Sequence, residues 1–153
     1  MQRLDILVVV LYGVEEMKID NNELNNMNWK YVKPTSLEKI QAVEKEYGIN
    51  LPEDLINLLL EYNNGRPDKT LFQVAGKERV FKKLLSYNKE DRENIYPYID
   101  ILRKENAKLF PIASDPAGNF ICLFEGNIVF WEHETAKKQY ICDTMTEMID
   151  LLY

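Results

Sequence analysis

The clearest periodicity in the chain starts at Leu37. Leu37, Ile40, Val43 and Tyr47 recur at the spacing of one helical face, with Glu44 the polar exception, and predict an amphipathic helix. Thr35-Ser36-Leu37-Glu38 ahead of it fits a capping box with Thr35 at the cap, and Gly48 ends the run. Lys33-Pro34 marks the boundary before it, because the residue preceding a proline avoids the helical region. A second helix opens at Leu51-Pro52-Glu53-Asp54, where proline is shaped for a first turn and the carboxylates favour the positive end of the helix dipole. Leu55, Ile56, Leu58, Leu59, Leu60 and Tyr62 make it apolar nearly all round, which predicts a central position. Asn63-Asn64-Gly65 stops it, with the left-handed conformation that follows many helices expected at Gly65 or its neighbour.

Past residue 70 the period shortens. Leu71–Val74 reads as a strand, whereas the apolar residues of Val80–Ser86 suit either period. Asn94–Glu105 reads as a helix with Pro97 in its first turn, and Leu109–Ala113 as a strand. Ser114–Asn119 is a turn into the strand Phe120–Phe124; Glu125-Gly126-Asn127 is a second tight turn into Ile128–Trp131, so these two strands form a hairpin. Gln139–Cys142 adds a last strand. Asp143-Thr144 then caps a final helix, Met145–Leu152, with Thr144 and Glu147 as its capping box. Upstream, Leu7-Val8-Val9-Val10-Leu11 has the character of a strand, and residues 18–34 read as a turn-rich lead-in with a short helix around Glu23–Met27.

Composition alters this picture little; charge alters it more. A chain of 153 residues is about one domain, and 46% hydrophobic with 29% charged residues is a globular rather than a disordered balance. The net charge of −6 repels nucleic-acid phosphates and attracts basic partners. It is unevenly spread: residues 77–108 hold nine Lys and Arg against six Asp and Glu, and residues 115–153 hold two Lys against seven Asp and Glu. The C-terminal third is therefore expected to present an acidic face. The longest apolar run, Ile6–Tyr12, has seven residues where a membrane helix needs roughly 20. With Asp5 at its edge and no small-x-small site after it, it also makes a poor signal peptide, so a cytoplasmic location is expected. Cys122 and Cys142 lie in apolar stretches and are expected as reduced, buried thiols. Gly13-Val14-Glu15-Glu16 can be encoded by purine-rich triplets resembling a bacterial ribosome-binding site. Met17 is thus an alternative start to Met1, and residues 1–16 are expected to be dispensable for partner binding.

Candidate chemistry is sparse. The single histidine, His133, sits in the acidic stretch Trp131-Glu132-His133-Glu134 and reads as a polar surface residue at a strand end. Neither CxxC nor HExxH occurs, and no glycine-rich phosphate loop is present, so neither metal nor organic cofactor is expected. Glu132 and Glu134 would share one face of a strand, and paired carboxylates can do acid–base work. With 25 acidic residues in the chain such pairs arise by composition alone, and no catalytic residue is assigned. Phe120, Phe124, Phe130, Trp131 and Tyr140 read as core; a platform for stacking nucleic-acid bases needs basic neighbours, and theirs are acidic.

Several of these pieces together resemble a known family. Pro34-Thr35 with Ile40 and Glu44, then Gly48-Ile49-Asn50-Leu51-Pro52 with Asn63-Asn64-Gly65, is similar to the opening of the SUKH domain, the Smi/Knr-like domain of a yeast cell-wall assembly regulator and many bacterial proteins. Pro111-Ile112-Ala113-Ser114-Asp115 with Gly118-Asn119-Phe120-Ile121-Cys122-Leu123 resembles its central hairpin. Ile128–Glu134 resembles the strand that follows, and Asp143–Leu152 the closing helix. The resemblance covers residues 32–153 and leaves 1–31 as an N-terminal extension; Arg66 departs from it, standing where a second glycine is often found. It implies an α+β fold with a largely antiparallel sheet packed against several helices, and it makes Val80–Ser86 a strand. It also implies an immunity protein that binds and neutralises a cognate toxin domain, or else a non-catalytic regulatory scaffold in a housekeeping pathway such as cell-wall assembly. The charge pattern adds that the partner is a basic protein, with neither nucleic acid nor membrane expected. The contact is expected near the end of the Ile128–Glu134 strand and the Asp115–Asn119 turn, through Asp115, Glu132, His133 and Glu134, with Trp131 as an aromatic anchor wherever its ring reaches the surface.

Overall fold

Short apolar runs separated by tight turns give an antiparallel sheet at the centre of the molecule. A computed structural model describes residues 27–153; the strand expected at Leu7–Leu11 and, but for Met27, the short helix expected around Glu23–Met27 lie outside the described residues. In chain order the elements are β1 (Trp29–Lys30), α1 (Leu37–Tyr47), α2 (Glu53–Tyr62), β2 (Arg66–Pro67), β3 (Leu71–Val74), β4 (Lys77–Val80), β5 (Lys83–Leu84), α3 (Tyr96–Glu105), β6 (Leu109–Ser114), β7 (Phe120–Phe124), β8 (Asn127–Trp131), β9 (Lys138–Cys142) and α4 (Met145–Leu151). The main sheet runs β9-β8-β7-β6-β5, every neighbouring pair antiparallel; β1 pairs with β2, and β3 with β4, as separate ribbons. Among the described residues, four helices beside antiparallel strands make the fold α+β, as expected.

Register decides what covers each side of the sheet. Phe120 stands opposite Trp131 and Ile121 opposite Phe130, so Phe120 and Phe130 face opposite sides. The ring of Tyr98 from α3 packs on Phe120 at 5.0 Å, and that of Phe72 from β3 packs edge-on against Phe130 at 5.9 Å. Helix α3 therefore covers one face while the β3–β4 ribbon covers the other. Every residue of β6 is buried. The turns Ala75-Gly76 and Glu125-Gly126 have positive φ at both central residues, the geometry whose twist suits a two-residue hairpin. The thiols of Cys122 and Cys142 are both free and buried.

Local signals are mostly realised, with three corrections. The cap of α1 is Ser36, whose hydroxyl accepts the Lys39 N–H at 3.2 Å; the Thr35 hydroxyl is buried instead without a partner. Helix α2 is peripheral: Leu55 and Leu59 are buried while Leu60 is 38% exposed, and its apolar flanks meet α1 and α4. The left-handed residue expected at Gly65 or its neighbour is Asn64, with φ 69°, while Gly65 itself answers a different need, a close backbone approach. Val80–Ser86 divides into the end of β4 and the short β5 rather than forming one strand. At the other end of the chain, α4 carries both halves of its expected box: Thr144 accepts the Glu147 N–H, and Glu147 accepts the backbone N–H of Thr144.

Candidate protein-interaction site

Two loops close one end of the sheet and, with Trp131 at the end of β8, hold all the residues expected to meet a partner. The first is built around Asp115. Its carboxylate accepts the backbone N–H groups of Ala117 and Asn119, both at 2.8 Å, and the Asn119 side-chain amide at 3.0 Å. The Asn119 side-chain oxygen Oδ1 in turn accepts the His133 backbone N–H from the second loop, and His133 Nε2 lies 3.0 Å from the Ala117 carbonyl, which places a proton on that nitrogen. The loops are thus laced to each other. Strand β8 ends at Trp131, and a turn closed by Ala136 N–H to Glu132 C=O and Glu132 N–H to Lys137 C=O carries Glu132 and Glu134. The two carboxylates therefore do not share a strand face.

This arrangement corrects the expected roles. Asp115 is buried, and its oxygens are used to shape its own turn. Trp131 is 5% exposed and packs toward Phe120, so the condition for a surface anchor is not met. Glu132 accepts the Thr135 hydroxyl and pairs with Arg79, which also lies over the Phe130 ring. The Thr135 hydrogen bond, with the nearby Arg79 and Lys77 charges, outweighs partial desolvation and holds this carboxyl below its usual range. Only His133 and Glu134 remain exposed, and Lys137 and Lys138 follow them closely. The sheet end is far less acidic than its sequence suggests.

The acidic surface lies elsewhere, on two helices distant in sequence. Helix α2 carries Glu53, Asp54 and Glu61; the segment from Tyr140 through α4 carries Asp143, Glu147 and Asp150; neither stretch contains a lysine or arginine. The helices meet where Asp54 accepts both the backbone N–H (2.9 Å) and the hydroxyl (3.0 Å) of Thr146. Among the described residues none of these six carboxylates forms an ion pair. Their field registers on the groups nearby. Burial pushes the Cys142 thiol up to about 11, with Glu147, Asp143 and Asp54 adding to it. The Tyr140 hydroxyl, donating to Asp143 at 2.6 Å, is raised to about 12. Sequence reasoning caught half of this surface in the negative C-terminal third but had no signal for the half supplied by α2.

A third feature is a buried polar network that holds segments together. Asn63, fully buried, donates to the Lys33 carbonyl and the Ser86 hydroxyl and accepts the Tyr87 N–H. Ser86 donates to Asp91 at 2.6 Å, and Asn88 bridges Asp91 and the Pro34 carbonyl. Beside it, Lys83 donates to Asn64 at 2.6 Å and faces Glu93 at 3.6 Å. Burial pushes the Asp91 carboxyl up, but hydrogen bonds from Ser86 and Asn88 with the Lys33 and Lys83 charges outweigh it, leaving its pKa below the ordinary value. Glu93 is lowered against its own desolvation by Lys82 and Lys83. Folded pKa values below the unfolded ones contribute stability that is present above the unfolded pKa and lost as pH falls through the folded one. Stability to urea should therefore hold from neutrality to about pH 5 and fall below about pH 4. Asp91→Asn, which removes one titrating group, should make that fall shallower; an unchanged slope of urea midpoint against pH between about 2.5 and 6 would count against the assignment.

Among the described residues no group of three or more His, Cys, Asp or Glu side chains is placed to hold a metal ion, and no helix is long and apolar enough to cross a membrane. What the surface offers is paired helices rich in unpaired carboxylates, over a sheet whose end loops are internally satisfied. The helices and antiparallel strands among the described residues make a mixed α+β domain. The model of the SMI1 / KNR4 family (SUKH-1) matches residues 34–151, and the chain belongs to that family, which is generally non-catalytic. Comparison with curated proteins gives no match.

Proposed function

We propose that this chain is an immunity protein, which binds a cognate toxin domain and neutralises it by occupancy rather than by chemistry. The observation that carries the reading is the α2–α4 surface, where six carboxylates meet no basic residue on either element, within a chain of net charge −6. Such a surface draws a basic protein in by long-range steering, which speeds association and weakens with added salt. The end loops fit the same reading: interlocked by Asp115, Asn119 and His133, they offer a stiff surface rather than a reactive one. The family also supports a second reading, a regulatory scaffold of the Smi/Knr type.

The deciding experiment co-expresses the chain with the product of the adjacent gene. Protection of growth, a complex recovered by pull-down, and an association rate that falls several-fold between about 50 and 500 mM salt are expected. Absence of both protection and complex, together with a solitary gene that has no toxin-like neighbour, would replace immunity with the scaffold.

A further inference from the structure

Among the described residues the carboxylates around α4 form no ion pair, and the segment from Tyr140 to the end of α4 contains no lysine or arginine. The exposed face of α4 carries Glu147, Asp150 and Leu151, with Asp143 just before the helix and Tyr140 on the adjoining edge strand β9. Glu147 and Leu151 are one helical turn apart and therefore neighbours on the surface. Leu151 is 46% exposed and Tyr140 58%, so two apolar side chains stand among carboxylates without cover from the described residues. Tyr140 is also held: its hydroxyl donates to Asp143, which fixes the ring against the start of α4. An aromatic ring already fixed in place loses little conformational freedom on binding, and tyrosine is among the side chains enriched at the energetic centres of interfaces.

We infer that the exposed face of α4, headed by Tyr140 and flanked by Asp54 of α2, is the docking surface for a basic protein partner. Leu151 and the Tyr140 ring supply the apolar centre, and Asp143, Glu147, Asp150 and Asp54 the charged surround. The complement is a protein segment that presents arginine or lysine around a small apolar contact. An arginine there can lie on the Tyr140 ring while its fork meets the carboxylate of Asp143 or Glu147. The sheet end does not compete on charge: Asp115 is buried, Glu132 is paired with Arg79, and Glu134 alone is left. The inference rests on the reading of the chain as a binder of a basic protein, and adds where that partner sits.

Its test does not need the cognate toxin. An amphipathic arginine-rich peptide, titrated into the isotope-labelled full chain at low salt, serves as the probe. Amide shifts concentrated on residues 140–151 and the first turn of α2 are expected; shifts centred on residues 132–137, or none, overturn the inference. Tyr140→Ala combined with Asp150→Lys touches no capping bond and should weaken the peptide about tenfold, whereas Glu134→Lys should change its affinity less than twofold. The reverse order, or equal affinities in variants whose circular dichroism matches wild type, also overturns it. Should co-expression protect cells while the peptide maps elsewhere, the docking surface fails and the immunity reading stands. A peptide bound at α4 by a chain that protects nothing gives the opposite division.

Discussion

Replacing Asn63 with leucine is expected to lower stability by about 4 kcal/mol, the largest effect of any single change considered. The side chain is fully buried and uses both ends of its amide, accepting from Tyr87 and donating to Ser86 and Lys33. Leucine has similar size, so the cavity term is small. What it leaves behind is a buried Tyr87 N–H, a Ser86 hydroxyl short of one donor and a Lys33 carbonyl, and each unsatisfied buried group costs about 1–3 kcal/mol. Set against a domain stability of roughly 5–15 kcal/mol, the loss is a substantial fraction of the whole. It should appear as a lower urea midpoint with an unchanged slope, and Ser86→Ala should show the same effect at smaller size. A midpoint shift worth less than about 1 kcal/mol would mean that the amide is not the hub of the network.

Gly65→Ala is expected to cost about 3 kcal/mol for a steric reason. A Cβ at Gly65 would lie 2.6 Å from the Tyr62 carbonyl oxygen, a backbone atom that cannot swing away, and 3.0 Å from the Trp29 ring. Trp29 stacks on Tyr62 at 4.7 Å, and the Gly65 carbonyl accepts the Leu84 N–H, so a shift of the loop disturbs both the β1–β2 ribbon and the edge of the main sheet. Gly48 provides the contrast: its φ is 67°, but no atom lies within 4 Å of the added carbon, so Gly48→Ala should cost only about 1 kcal/mol of backbone strain. Thermal melts of the two variants test the ranking; a Gly48→Ala variant less stable than Gly65→Ala would contradict the packing described around Tyr62.

What could be read from the chain was what neighbouring residues decide among themselves. The box of Thr144 and Glu147, the stop at Gly48 and the hairpin around Glu125-Gly126 need only a few consecutive residues, and they formed where expected. Strand β4 escaped because Lys77, Glu78 and Arg79 give it no alternation of apolar and polar positions; its pairing with β3 comes from the turn at Ala75-Gly76. The role of Trp131, core or conditional anchor, stayed open because the side of a strand that faces inward depends on register with β7, which local pattern does not carry. Asp115 looked like surface charge because nothing near it in sequence tells a free carboxylate from one that accepts three hydrogen bonds within its own turn. The hub at Asn63 joins segments around residues 33, 63 and 86–91, and no single window of sequence contains it.

The bond between Asp54 and Thr146 joins residues 92 positions apart. An acidic surface closed by such a contact exists only in the finished fold: an unfolded or half-made chain has the same carboxylates but scatters them. A partner that recognises the assembled surface is therefore a ligand of the native state alone. By mass action, at a free concentration one hundred times its dissociation constant it would add about 2.7 kcal/mol to the stability of the protein it binds. Recognition and folding are then one coupled equilibrium, in which chains too damaged to fold also drop out of the pool able to bind.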